Sequence, residues 1–286
     1  MNLKPLFHWI QEREQIKMRK DAKWPLPWTD DAILAKYRFC NVRREDDLGT
    51  IWIRKHIRER FAGHPMLWLM LCIGRQINWP DTLAELIACN GAWPSDDGFK
   101  PANMTYVLNG RKALDSKVYT GAYMISAPAT KGADKQAYIA ETVCGALWER
   151  RELFEKLFAG TPTLQRTHEM IMRSNGWGPF MAYQAVVDMR FTDVLGSAAD
   201  IRLWAAAGPG TLRGLNRLNG RPFKAALSQG QALTEMRAIY EVVERETGVA
   251  MDFSDVPNIL CETDKYLREL NGEGHPRTLY VPGRGY

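Results

Sequence analysis

Two short stretches hold most of the side chains able to do chemistry. The first reads Tyr37-Arg38-Phe39-Cys40-Asn41-Val42-Arg43-Arg44-Glu45-Asp46-Asp47, with Thr50 and Trp52 close behind. The second reads Asn258-Ile259-Leu260-Cys261-Glu262-Thr263-Asp264-Lys265-Tyr266-Leu267-Arg268, followed by Asn271 to Arg277. In both, cations and carboxylates interleave with aromatic and apolar residues. Such a mixture suits an anionic group held by the cations, beside a carboxylate that takes a proton. On helices, Glu262 and Lys265 would meet at i, i+3, and Arg43 and Asp47 would share a face at i, i+4. A solvated helix surface with internal ion pairs is an equal alternative at this point, because exposed pairs stabilise little. Asn41 is a poor helix former inside an aromatic cluster and is better suited to hydrogen bonding.

Two glycine-rich turns come next. Asn175-Gly176-Trp177-Gly178-Pro179-Phe180 separates two apolar runs of helical spacing, Leu164 to Met172 and Met181 to Met189. Gly176 and Gly178 are expected to take backbone angles that a side chain forbids. Pro179 suits the first turn of the second helix. The product is helix, tight hairpin, helix, with free N–H groups and a positive dipole end facing an anion. Gly208-Pro209-Gly210, ahead of Thr211, Leu212 and Arg213, offers further backbone donors. Asp188 lies in the second apolar run, and Asp200 opens what reads as another helical run 22 residues after Gly178.

The elements that must position these residues read as almost wholly helical. Helices are expected over Leu6–Lys20, Asp46–Phe61, Pro65–Asn78 and Asp81–Ala88. Thr29-Asp30-Asp31 should cap one more. Residues 91–136 read as loops with short helices. One long helix is expected over Ala137–Ala159, and others over Phe223–Glu246 and Asp255–Leu270. In the last, Ile259 or Leu260 with Leu267 and Leu270 marks the buried side. The tail Gly272–Tyr286 is too rich in Gly, Pro and Arg for a helix. No alternation builds a sheet. The organisation is a single helical domain over 1–286, or two lobes of about 29–136 and 137–270 with a tail at 271–286.

Composition narrows the function classes. The 286 residues are 45% hydrophobic and 25% charged, with a net charge of +5, which fits a globular protein with a sizeable core. A pI near 8.9 is compatible with a nucleic-acid partner. No Walker A spacing appears; Asn109-Gly110-Arg111-Lys112 and Lys131-Gly132 come nearest, so ATP-driven phosphoryl transfer is not expected. A Gly-x-Ser-x-Gly elbow is missing too. The five cysteines and five histidines lack metal-ligand spacing, so no metal is expected beyond a monovalent ion at the hairpin. Neither a signal peptide nor a membrane span is expected, which fits the cytoplasm.

The hairpin followed by Asp200 resembles helix-hairpin-helix DNA glycosylases. There the hairpin grips a DNA phosphate and an aspartate about twenty residues on faces an extruded nucleotide. The whole set is more specific. Tyr37 to Asp47, Gly-x-Gly-Pro-Phe-x-Ala-Tyr-Gln, Asp188, Gly208-Pro209-Gly210-x-x-Arg213-Gly214 and Leu-Cys-Glu-x-Asp-Lys-Tyr-x-Arg stand in one order over roughly residues 29–280. Together they resemble the alpha-glutamyl/putrescinyl thymine pyrophosphorylase family. That family includes phage amino acid:DNA transferases and the helical domain of 5-hydroxymethyluridine DNA kinases.

The resemblance implies an all-α, glycosylase-like helical fold working on thymine-derived bases in phage DNA, inside the infected bacterial host. The implied substrate is 5-(pyrophosphoryloxymethyl)deoxyuridine in DNA, made by a separate hydroxymethyluridine kinase. An amino acid or polyamine displaces its pyrophosphate, with no further cofactor. The base must be extruded first. Arg43, Arg44, Arg213 and Lys265 are expected to hold pyrophosphate, with Arg38, Asp47 and Arg268 around the substrate. Asn41 is expected at the uracil edge, and Tyr37 or Trp177 stacked on a base. Asp200 is the first choice for the general base, with Asp188 and Glu262 as rivals. Asn175, Gly176, Trp177, Gly178, Gly208 and Gly210 are expected to face DNA. A glycosylase excising a modified base, or a non-catalytic DNA-binding module serving a kinase, are the alternatives.

Overall fold

The computed structural model describes residues 1–121, 125 and 134–282. Within these, the protein is built from helices and turns, with isolated bridges at Tyr37–Leu279 and Ser95–Gly98 in place of any sheet. The all-α expectation therefore holds. Lys131-Gly132 and the last four residues of the tail lie outside the described residues. The chain forms two compact units, one of residues 1–50 with 202–286 and one of residues 51–201. The lobe boundary read near residue 137 falls inside the second unit.

The first unit holds α1 (Lys4–Asp21), α2 (Ala32–Lys36), α12 (Pro209–Leu218), α13 (Gln229–Thr247) and α14 (Val256–Leu270). Asp31 caps α2 by accepting from the N–H groups of Ile33 and Leu34, as its sequence position implies. Ser228 and Gln231 form a capping box that starts α13 at Gln229, six residues later than periodicity alone places it. The core of this unit is α14. Its Ile259, Leu260 and Leu267 are buried, but Leu270 is 57% exposed, because the helix ends there and the last turn leaves the core. Helix α14 packs against α12, α1, α13 and α2. Its approach to α12 is close enough that a Cβ at Gly214 would lie 2.4 Å from the Leu260 carbonyl oxygen.

In the second unit are α4 (Leu67–Ile77), α5 (Pro80–Ala88), α6 (Pro101–Ala113), α7 (Lys135–Ala137), α8 (Gly145–Glu149), α9 (Arg151–Phe158), α10 (Leu164–Met172) and α11 (Pro179–Met189). Helix α3 (Leu48–Ile53) carries the chain into this unit and continues as a π-helical turn over Arg54–Arg58. Every residue of α4 is buried, which explains its apolar run from Leu67 to Ile73. Its Arg75 forms a bidentate ion pair with Asp188 of α11. The long helix expected over 137–159 is several pieces: α7 passes into a π-helical stretch over Tyr138–Cys144, and Arg150 breaks the run between α8 and α9. Arg150 donates to the Met170 carbonyl and to Ser174 Oγ, a tertiary bond that holds it out of helical geometry. Residues 101–113, expected as loop with short helices, form the 13-residue α6 behind Pro101.

Candidate functional site

Apart from a 3₁₀ turn at Arg44–Asp46, the segment Tyr37–Asp47 is not helical. Its backbone is held by groups from both ends of the chain. The Tyr280 N–H donates to the Lys36 carbonyl, and the Arg38 N–H to the Thr278 carbonyl. The Cys40 N–H donates to Glu262 Oε2 at 2.9 Å, Asn41 N–H to Asp47 Oδ1 at 3.0 Å, and Arg44 N–H to Asp255 Oδ1 at 2.9 Å. Three carboxylates thus do for this loop what a neighbouring strand does in a sheet. Arg43 and Asp47 do not form the expected i, i+4 pair, because Arg43 is extended and leads into a short 3₁₀ turn, Arg44–Asp46.

Several residues expected to touch substrate are engaged inside the protein. Asn41 Oδ1 accepts from Arg13 and its amide NH₂ donates to the Asp46 carbonyl, so the side chain closes the loop. Arg43 directs its three guanidinium nitrogens to Asp46, the Ala250 carbonyl and Glu14. Tyr37 is buried, stacks on His275 and donates to Glu269, which leaves no face for a base. The tail from Gly272 thereby lies along Lys36–Arg38.

Other expected residues gather on α14. Glu262 and Lys265 meet at 2.6 Å, as their spacing implies. The Lys265 ammonium also donates to the Arg38 carbonyl and lies over the Phe39 ring, 4.5 Å from its centroid. The Arg213 side chain is 36% exposed, and its Nε bonds Asp264 at 2.8 Å. Arg217 closes the other side of Asp264 and a bidentate pair with Glu273. Arg268 donates to the His275 carbonyl. Gly208 is the N-cap of α12, and a Cβ on Gly210 would lie 2.3 Å from Cys261 Sγ, so this glycine permits α12 to approach α14. The Cys261 thiol, pushed up to about 11 by burial and by Glu262, feels the charges of both Lys265 and Arg213.

Arg13 of α1 was not legible as a site residue. It donates to the Cys40 carbonyl at 3.1 Å and to Asn41, and it interacts electrostatically with Glu262 and Asp47. Burial lowers its pKa, and the surrounding carboxylates oppose that shift. Nothing in the charged α1 sequence separates it from neighbouring arginines. Asp47 is half-buried; loss of hydration and the Glu262 charge push it up to about 6, against the pull of Asn41 N–H, Arg44 and Arg13. Asp255 is likewise raised to about 6 by burial.

The second unit holds the hairpin and the other two expected carboxylates. Helix α10, the turn Arg173–Gly178 and helix α11 follow one another, and the two helices pack together. Gly176 has φ +78°, and a Cβ there would lie 2.4 Å from Val143 Cγ2. Gly178 differs from expectation: its φ is −87° and a Cβ would meet open space, so the backbone there does not require glycine. Asn175 is exposed. Trp177 is buried and donates to the Val143 carbonyl, so it anchors the turn instead of offering a stacking face. His168, whose pKa burial lowers, bonds the Pro179 carbonyl. Asp188 is buried against Arg75. Asp200 lies in turns, not at a helix start, and its two oxygens accept from the Leu164 and Gln165 N–H groups, which makes it an external cap for α10.

Among the described residues no three His, Cys, Asp or Glu side chains group as a metal site, and no helix is long and apolar enough to cross a membrane. The family model described as 5-hmdU DNA kinase, helical domain, matches residues 2–275. No curated protein and no solved structure matches the chain.

Proposed function

The chain belongs to the family of the 5-hmdU DNA kinase helical domain, and from that premise we propose that it completes a modification of hydroxymethyluracil in phage DNA. In this reading it is a transferase. The amine of an amino acid, or of a polyamine, displaces pyrophosphate from 5-(pyrophosphoryloxymethyl)deoxyuridine. A hydroxymethyluridine DNA kinase acts upstream.

One observation carries the proposal. Glu262 holds the Cys40 N–H and the Lys265 ammonium together, joining motifs 222 residues apart in sequence. The result is a cation fixed over Phe39, with Arg213 reaching out from the facing α12. Fixed cations stabilise a leaving pyrophosphate because they require no reorganisation as its charge grows. Lys265, Arg213, Arg38 and Arg268 are the residues for that task. Arg43 is not, since its guanidinium already serves Glu14 and Asp46. The hairpin of the second unit is the part that grips DNA phosphate, through the N–H groups at the start of α11.

A glycosylase needs its aspartate free beside the extruded nucleotide, whereas Asp200 caps α10 with both oxygens. That geometry favours the transferase. A non-catalytic module serving a kinase is the second reading, favoured by the internal engagement of Asn41 and Arg43. The test is direct. The protein is incubated with DNA bearing hydroxymethyluracil, its phosphate or its pyrophosphate, together with glycine, glutamate or putrescine, and digested to nucleosides for mass spectrometry. An amine adduct formed only from pyrophosphorylated DNA is the expected result. Free base in solution makes the protein a glycosylase; unchanged nucleosides under every amine make it a module.

A further inference from the structure

The transfer reaction needs a proton acceptor, because an amine arrives as an ammonium and its nitrogen has no lone pair until a proton leaves. The carboxylates of these motifs are almost all engaged. Asp200 caps α10 with both oxygens, and Asp188 pairs with Arg75 through both of its own. Asp264 is held between Arg213 and Arg217. Asp255 receives one N–H at each oxygen, from Arg44 and Asp252. Glu262 carries the Lys265 ammonium and the Cys40 N–H on one oxygen. Asp47 differs in carrying no cation while keeping one oxygen without a hydrogen bond. Its Oδ1 receives the Asn41 N–H, and, unlike Glu262, whose second oxygen likewise takes no hydrogen bond, it has no cation within ion-pair distance among the described residues.

We propose that Asp47 is the proton acceptor of this site, positioned by the Asn41 N–H and by the half-buried Arg13. This rests on the transferase reading. The groups that act on Asp47 are Arg13 from α1, Arg44 and the Asn41 N–H from its own loop, and Glu262 from α14. Removal from water and the Glu262 charge make it basic enough to take a proton near neutral pH, while its half-buried position lets that proton pass on to solvent. The steps balance. One ammonium proton moves to Asp47 Oδ2. The freed lone pair forms the C–N bond to the exocyclic carbon as the C–O bond breaks, and that bond's electron pair leaves on pyrophosphate. The product nitrogen keeps the remaining two protons as a secondary ammonium.

The experiment uses the full chain, pyrophosphorylated DNA and whichever of glycine, glutamate or putrescine gives an adduct. In the wild type, turnover should fall below an apparent pKa near 6. Asp47→Asn should lower turnover at pH 7 by about 10²- to 10⁴-fold, remove that acid limb, and leave DNA affinity nearly unchanged, with a urea midpoint at pH 7 no lower than that of the wild type. Asp47→Glu should recover part of the rate together with a displaced acid limb. An Asp47→Asn protein with the wild-type rate and limb overturns the proposal. If the wild type makes no adduct with any amine, the transferase reading has failed, and a carbon-detected NMR titration of the Asp47 carboxyl decides separately. A midpoint near 6 that falls in Glu262→Gln supports a poised carboxylate; a midpoint in the ordinary carboxylate range of about 4 overturns it.

Discussion

Asp200 separates what residue spacing can say from what it cannot. The distance from the hairpin located an aspartate, but its partners are the first N–H groups of α10, brought close by the fold. Asp200→Ala should therefore destabilise the protein by about 1–2 kcal/mol, the usual cost of losing a helix cap. Turnover per folded molecule should be unchanged, and a urea titration run beside the adduct assay checks both. Asp255 gives a pH-dependent prediction. Its folded pKa of about 6 lies above the unfolded value of about 3.9. Between these values the folded state holds more protons than the unfolded state. Its contribution to stability is therefore full at low pH and is lost as pH rises from about 4 to about 6, by roughly 2–3 kcal/mol. Other carboxylates, such as Glu273, which Arg217 holds low, act in the opposite direction. The measurement is consequently a difference: Asp255→Asn should abolish this part of the loss between pH 4 and pH 6.5. A wild-type-sized slope in the variant would show that Asp255 does not titrate in that window.

At the scale of elements, glycine positions give the sharpest tests. Gly214→Ala would drive a methyl group into the Leu260 carbonyl, 2.4 Å away, where backbone must move. A loss of about 1–3 kcal/mol is expected from forcing α12 off α14, read as a lower urea midpoint. In the hairpin the two glycines should part company. Gly176→Ala meets both a positive φ and Val143, so it should destabilise, whereas Gly178→Val should fold normally and weaken only DNA binding at fixed salt. Unchanged DNA affinity in folded Gly178→Val would remove the hairpin from the interface. These contrasts also mark how far the elements were readable. Helix α14 and the hairpin helices were legible because their apolar spacing and their caps agree. The breaks within 137–159 were not, because Arg150 is fixed by Met170 and Ser174, partners that lie in the next helix and turn. The loop at Cys40–Arg44 defeated a helical reading for the same reason: its N–H partners Glu262 and Asp255 come from more than 200 residues away.

For the whole molecule, connectivity decides which functions stand or fall together. The first unit is assembled from the two ends of the chain, with Asn2 N–H donating to the Leu218 carbonyl and Arg38 N–H to Thr278. The second unit is one continuous stretch with its own core in α4, α10 and α11. The proposed chemistry lies in the first and the proposed phosphate grip in the second. A chain ending at Asp255 lacks α14 and with it the main packing partner of α12 and α1. Hydrogen exchange should then show lost protection in α1, α12 and α13, while amides of α4 and α11 stay protected, because their packing against each other within the second unit is kept. The same truncated protein should make no amine adduct, having lost Glu262 and Lys265. It should still bind DNA, with affinity falling as salt rises, since phosphate contacts release counterions whether or not the reaction site exists. A truncated chain that no longer binds DNA while α11 remains protected would place the grip outside the hairpin and return the nucleic-acid contact to the cations of the first unit.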